Sequence, residues 1–377
     1  MSEINPQQNE ERDKMNYNLF NLPDRLYKYY GYDNYLNEKR LMGEVYLASP
    51  LDFNDPCDCQ RPLVNNANKM DEKRRCDNQE TRWLETKLLE LGYDEREVDK
   101  LATSLKESDE NLSKVYRKQL EKVGVLCITQ VPDNPLMWGY YTDNKGFCIE
   151  YDKQKIVKRL VVGFVNALDY KLTAFLFEKK RYREDPYVRC RNTQSVVALI
   201  PTASKILDDC MGEIKNGYLL EKENLAERHN FLLNVMLKRF VGKEIEYLAD
   251  EKICSCSPTL FFDEDNKGSH HKYFEKTKPW THEREFRVVV SLGGRKSISL
   301  GMDIIKAVYL GCNTPKENIV QIAYMLASHD VECKLYIMRR NDRCMLEAVE
   351  IDFSSVRQSL KMLDASLNKI NNDEMRG

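Results

Sequence analysis

Apolar residues in this chain gather in short runs separated by turn-rich segments, and the pattern gives way twice to longer stretches with helical spacing. Leu26–Tyr30 is a short aromatic run that reads as a first strand, and Asn34–Leu41 has helical spacing. Val45–Ala48 reads as a strand running into Ser49-Pro50-Leu51-Asp52-Phe53-Asn54-Asp55-Pro56, where two prolines and an Asn-Asp pair fix a turn. Gly124–Thr129 and Gly146–Tyr151 read as strands expected to pair in one sheet, with Met137-Trp138-Gly139-Tyr140-Tyr141 between them. Thr281–Val290 reads as a further strand. The C-terminal part predicts a strand at Ile304–Leu310, a helix at Lys316–Ala327, strands at Lys334–Met338 and Met345–Ile351, and a terminal helix.

The two helical stretches are expected at about 65–122 and 190–247. The first carries Trp83, Leu84, Leu88 and Leu91, then Leu112, Val115 and Leu120, on a densely charged background. The second carries Leu232, Leu233, Val235, Met236, Leu237 and Phe240. Strands interrupted by helical insertions predict an α+β fold with a mixed, mostly antiparallel sheet core. Residues 1–20 read as a loose arm, 21–352 as one domain holding both insertions, and 353–377 as a C-terminal helix and tail.

Composition narrows the class. The 377 residues carry 58 Lys and Arg against 60 Asp and Glu, a net charge of −2, and 42% are hydrophobic. That content excludes a disordered chain. The absent basic excess argues against a general nucleic-acid binder held by phosphate contacts. No apolar stretch approaches the roughly 20 residues of a membrane helix, and the polar N-terminus lacks a signal-peptide core. With twelve scattered cysteines, the expectation is reduced thiols and a cytoplasmic protein without a membrane partner. No metal is expected, because Cys254-x-Cys256, His270-His271 and Cys57-x-Cys59 lack knuckle spacing. Phosphate-loop, dinucleotide-fingerprint and nucleophile-elbow motifs are missing.

The densest candidate chemistry is Glu283-Arg284-Glu285-Phe286-Arg287. On a strand, Glu283, Glu285 and Arg287 would share one face, leaving Phe286, Val288 and Val290 to anchor the other. The bland alternative is a solvated strand face with a cross-strand ion pair. Trp138 beside Met137 reads equally as core, whereas Tyr140 is the better ligand residue. Two acids without further partners are too few for a metal-dependent nuclease.

Three segments resemble the bacterial domain of unknown function 2971 family: Leu26-Tyr27-Lys28-Tyr29 with Ser49-Pro50-x-x-Phe53-Asn54-Asp55-Pro56, Leu136-Met137-Trp138-x-Tyr140-Tyr141 with Gly146-Phe147-Cys148-Ile149, and Trp280-x-x-Glu283-x-Glu285-Phe286-Arg287. The order of aromatic first strand, Met-Trp-x-Tyr segment and late Glu-bearing strand is also similar to that of ADP-ribosyltransferases, especially toxin enzymes that modify DNA bases. Glu283-Arg284-Glu285 is similar to the Glu-x-Glu motif of arginine-directed transferases, although a Ser-Thr-Ser motif and a first-strand histidine are absent.

The likeness implies NAD as substrate, Glu285 as catalytic acid, Glu283 assisting the acceptor, and a setting such as phage defence. The dinucleotide would meet Tyr27, Ser49, Asn54, Trp138, Tyr140 and Arg287, and the acceptor would be a protein or nucleic acid. A non-enzymatic module that binds a ligand or partner is the alternative.

Overall fold

The computed structural model describes residues 21–59, 94, 96, 117, 118, 120–178, 199, 201–207, 225–237, 239–249 and 273–362. The expected N-terminal arm, most of the 65–122 insertion, Cys254, Cys256, His270, His271 and the chain after 362 lie outside the described residues.

The described strands are β1 (Leu26–Tyr30), β2 (Glu44–Leu47), β3 (Gly124–Thr129), β4 (Phe147–Tyr151), β5 (Phe240–Glu244), β6 (Glu246–Leu248), β7 (Glu275–Thr277), β8 (Glu285–Val290), β9 (Lys296–Ser299), β10 (Ile305–Leu310), β11 (Lys334–Arg340) and β12 (Leu346–Glu350). The named helices are α1 (Asn37–Leu41), α2 (Pro135–Thr142), α3 (Lys153–Glu178), α4 (Leu225–Leu237) and α5 (Lys316–Ser328). Eight strands form one mixed, mostly antiparallel sheet in the order β12-β11-β10-β4-β1-β3-β8-β5. Only β10 and β11 run parallel within it. The fold is α+β.

Several expectations change in detail. Gly124–Thr129 and the strand at Phe147–Tyr151 share the sheet but do not pair, because the aromatic β1 lies between them. Phe240 belongs to β5 rather than to the preceding helical stripe, which ends at Leu237. The long α3, with no counterpart among the expected elements, carries Ile156, Val157, Leu160, Val161, Phe164, Val165 and Leu168 buried at helical spacing.

The two sheet faces differ in what covers them. Leu26, Ile149, Val308, Phe286 and Val288 project into a core with Leu160 and Phe164 of α3, Leu232 and Met236 of α4, and Ile322 and Leu326 of α5. The opposite face holds Tyr27, Tyr29, Cys148, Ala307 and Tyr309 under Met137 and Trp138 of α2. Asn134 caps α2 by accepting from the Leu136 N–H at 2.9 Å, with Pro135 in the first turn.

One irregularity positions the site. Strands β1 and β3 are matched at one position only, Tyr27 opposite Thr129. The neighbouring Cys127 carbonyl instead accepts from Lys28 Nζ at 2.9 Å, which satisfies a strand-edge acceptor. Farther along the same edge of β3, Ala48 bridges to Val125, so the chain leaving β2 enters beside this opening.

Candidate functional site

A cavity of about 260 Å³ occupies the parting between β1 and β3. Strand β8 supplies Glu285 and Arg287 to it, one row across from β3: Glu285 pairs with Thr129 and Arg287 with Cys127. Alternation sends Phe286, Val288 and Val290 into the helix-covered core, as the sequence implies. Glu283 arrives differently. Lys278–Glu283 is a 3₁₀ helix, not the start of a strand, and Arg284 takes a left-handed conformation with φ of 44°. That turn, rather than strand alternation, returns the Glu283 carboxylate to the cavity beside Glu285. Thr129 Oγ1 donates to the Glu283 carbonyl at 2.5 Å and fixes the turn from β3.

The acids are not a solvated face. Glu283 is 2% exposed, Glu285 7% and Arg287 1%. Burying such charges is unfavourable unless each is paired and hydrogen-bonded. Arg287 Nε donates to Glu285 Oε1 at 2.8 Å and Nη2 to Oε2 at 2.9 Å. Its other edge holds Asp58, with Nη1 to Oδ1 at 2.8 Å and Nη2 to Oδ2 at 2.5 Å. Lys276 Nζ lies 2.6 Å from Glu283 Oε2, 3.3 Å from Asp58 Oδ2 and 3.6 Å from Glu285 Oε2. Tyr141 donates to Glu283 Oε1 at 2.5 Å and accepts from Asn54 Nδ2 at 3.2 Å. Two rings flank the cations: Phe53 at 4.8 Å from the Arg287 guanidinium and Trp280 at 4.6 Å from Lys276 Nζ.

This environment separates the two carboxyls. Burial alone would raise Glu285, but the Arg287 guanidinium and the Lys276 ammonium outweigh it and hold the group down at about 2. Glu283 is raised above the usual carboxylate range, by burial first and then by the negative charge of Glu285. Burial likewise pushes up the Tyr141 hydroxyl, with the Glu283 charge adding to it. Burial works against the charge on Lys276, yet Glu285, Asp58 and Glu283 together raise it. Glu283 therefore holds a proton more readily than its neighbour two residues on.

The expected site residues divide. Glu283, Glu285, Arg287, Tyr27 and Asn54 line the cavity; Ser49, Trp138 and Tyr140 do not. Ser49 is wholly buried, donating to the Leu120 carbonyl at 2.8 Å and accepting from the Leu51 N–H. Trp138 is core, its indole N–H on the Pro132 carbonyl at 2.8 Å and its ring edge-on to Tyr29 at 5.0 Å. Tyr140 is 69% exposed, and its neighbour Tyr141 occupies the place expected of it. Helical geometry explains the exchange, since adjacent residues on α2 point about 100° apart. Asp58 and Lys276 were missed: one follows the turn-rich loop, and the other stands in a three-residue strand without an apolar signature.

Comparison with protein-family models, curated proteins and solved structures finds no match to this chain. Among the described residues no helix is long and apolar enough to cross a membrane, and no cluster of three or more His, Cys, Asp or Glu side chains is arranged to hold a metal ion.

Proposed function

We propose that this chain cleaves the bond between nicotinamide and ribose in NAD and transfers the ADP-ribosyl group to an acceptor. The observation that carries the reading is the pair Glu283 and Glu285 facing one cavity with opposite proton affinities. Paired carboxyls whose surroundings drive their pKa values apart are a recurrent arrangement for acid and base roles. Loss of nicotinamide develops positive charge on the ribose, as in glycoside cleavage. The ionised Glu285 supplies a preorganised negative charge to that centre. Glu283, hydrogen-bonded to Tyr141, is the group that takes the acceptor's proton.

The motif resemblances point the same way, and they also support membership of the domain of unknown function 2971 family. A role against phage rests on the toxin likeness alone. The test is nicotinamide release from NAD by the whole chain, compared with Glu285→Gln. Release that depends on Glu285 supports the reading; absence of both release and NAD binding overturns it.

One observation favours the second reading, a module that binds without turnover. Both Glu285 oxygens are already held by Arg287, which suits a carboxylate whose work is structural. NAD binding with no release in the wild type would select it.

A further inference from the structure

The large sheet ends at β12, which pairs on one side only, with β11. The bonds at either end of that pairing fix which backbone groups face outward. Asn341 N–H donates to the Met345 carbonyl at 2.9 Å, and Ile351 N–H donates to the Leu335 carbonyl at 2.8 Å. Antiparallel bonding alternates, so Glu347 and Val349, between these two, also bond inward to β11. The N–H and C=O groups of Leu346, Ala348 and Glu350 therefore point away from the sheet, with no strand beyond them among the described residues. Such a row is a template for another strand.

Charge is unevenly arranged along this edge. At the hairpin end Arg340 and Arg343 are exposed, and Arg340 Nη2 donates to Cys344 Sγ at 3.0 Å. The ion pairs of this region, Lys334 with Glu350 and Asp330 with Arg357 and Lys361, include neither arginine. At the other end stand Glu350 and Asp352, both exposed. The Lys334–Glu350 pair is itself exposed and holds Glu350 only weakly. Apolar side chains also reach solvent here, with Met345 55% and Val349 37% exposed.

We propose that β12 pairs antiparallel with β12 of a second copy of this chain, across a two-fold axis at Ala348, joining the two sheets. In this register Leu346 stands opposite Glu350 of the other copy, and every outward N–H and C=O finds a partner. Glu347 faces Val349, and Met345 faces Ile351. Moving the axis to residue 347 would set Glu347 against its own copy, and like charges directly opposite are unfavourable. Moving it to Val349 would carry Leu346 past the end of the other strand. Antiparallel order also brings the arginine end of each strand to the acidic end of the other, twice per dimer. The edge lies four strands from β1, so this pairing is independent of the NAD reading. A one-strand contact is small beside the roughly 1,200–2,000 Å² of a stable interface. The dimer is therefore reversible, with a Kd on the order of 10–100 μM.

Sedimentation equilibrium of the full-length chain from about 1 to 300 μM tests the pairing. The wild type is expected to pass from monomer to dimer, and to dissociate as salt screens the paired ends. Ala348→Pro removes an outward N–H and no bond to β11, at a position where an edge strand tolerates proline. It should stay monomeric throughout. Arg340→Glu and Glu350→Arg should each weaken the dimer several-fold, and the double variant should recover it. In hydrogen exchange the Leu346, Ala348 and Glu350 amides should slow as concentration rises, while those of Glu347 and Val349 stay as they are. A wild type still monomeric at about 300 μM overturns the proposal. So does a dimer that a folded Ala348→Pro leaves intact, or exchange at the outward amides that ignores concentration. Should Ala348→Pro not fold, the charge variants decide: single variants without effect, or a double variant that fails to recover the dimer, overturn the pairing.

Discussion

Arg287 Nη2 lies 2.5 Å from Asp58 Oδ2, although 229 positions separate the two residues. The contact ties the strap leaving β2 to the middle of β8 and closes the cavity between them. Farther out on the same strap, Asp52 is gripped by Arg295, with Oδ1 2.8 Å from Nη2 and Oδ2 3.0 Å from Nε. The outer pair is solvent-exposed and contributes at most about 1 kcal/mol. The inner pair is buried on both sides, so its geometry decides where the strap lies.

Asp58→Ala leaves Arg287 with an unpaired edge in a buried site. Removing one partner of such a pair costs about 3–5 kcal/mol. Urea unfolding should show that loss, whereas Asp52→Ala should move stability by less than about 1 kcal/mol. Equal effects from the two variants would mean the strap is not anchored through Arg287.

Acid stability should carry the signature of Glu285. Its folded pKa, about 2, lies below the ordinary value of 4.5. A depressed carboxyl contributes stability that is fully present above the unfolded pKa and is lost as pH falls through the folded one. Unfolding free energy should therefore drop between about pH 4.5 and 2, and this part of the slope should be missing in Glu285→Gln. Glu283 acts with the opposite sign. Its raised pKa favours the fold at low pH, and that contribution is lost as pH rises through the folded value.

If Glu283 takes the acceptor's proton, the rate must fall on the acid side as Glu283 becomes protonated. The Tyr141 hydrogen bond lowers the Glu283 pKa, so Tyr141→Phe should move the acid limb of transfer to higher pH. Glu283→Gln should remove the limb along with most of the transfer rate, by about 100-fold or more for loss of a general base. A pH profile of ADP-ribosyl transfer unmoved by Tyr141→Phe would separate Glu283 from the proton step.

The sheet was legible where strands are short, apolar and bounded by turns. Leu26–Tyr30 and Gly124–Thr129 match β1 and β3 residue for residue. Their order in the sheet was not, because local pattern carries no information on which strand inserts between two others. Glu285 and Arg287 were legible as a same-face pair through period two. Glu283 reached the right cavity by a different route, since a left-handed Arg284 is not announced by any glycine. Asp58 and Lys276 were invisible for a physical reason. Asp58 becomes a site residue through Arg287 of β8, 229 positions distant, and Lys276 through Glu283 and Asp58, from a three-residue strand without an apolar signature.

The two aromatic neighbours on α2 give the sharpest separation of packing from ligand contact. Trp138 is 1% exposed, packed under Tyr29 and hydrogen-bonded through its indole. Trp138→Ala should lose about 3–5 kcal/mol, the range for deleting a buried large aromatic. Tyr140 is largely exposed, its ring 6.1 Å from that of His282, and Tyr140→Ala should stay within about 0.5 kcal/mol of the wild type. Because Tyr140 does not line the cavity, nicotinamide mononucleotide affinity should also be unchanged in Tyr140→Ala. Thermal unfolding and calorimetric titration of the two variants check both statements. Loss of mononucleotide binding in a stable Tyr140→Ala protein would show that the ligand extends out of the cavity over α2 to Tyr140, the ligand residue expected from the sequence.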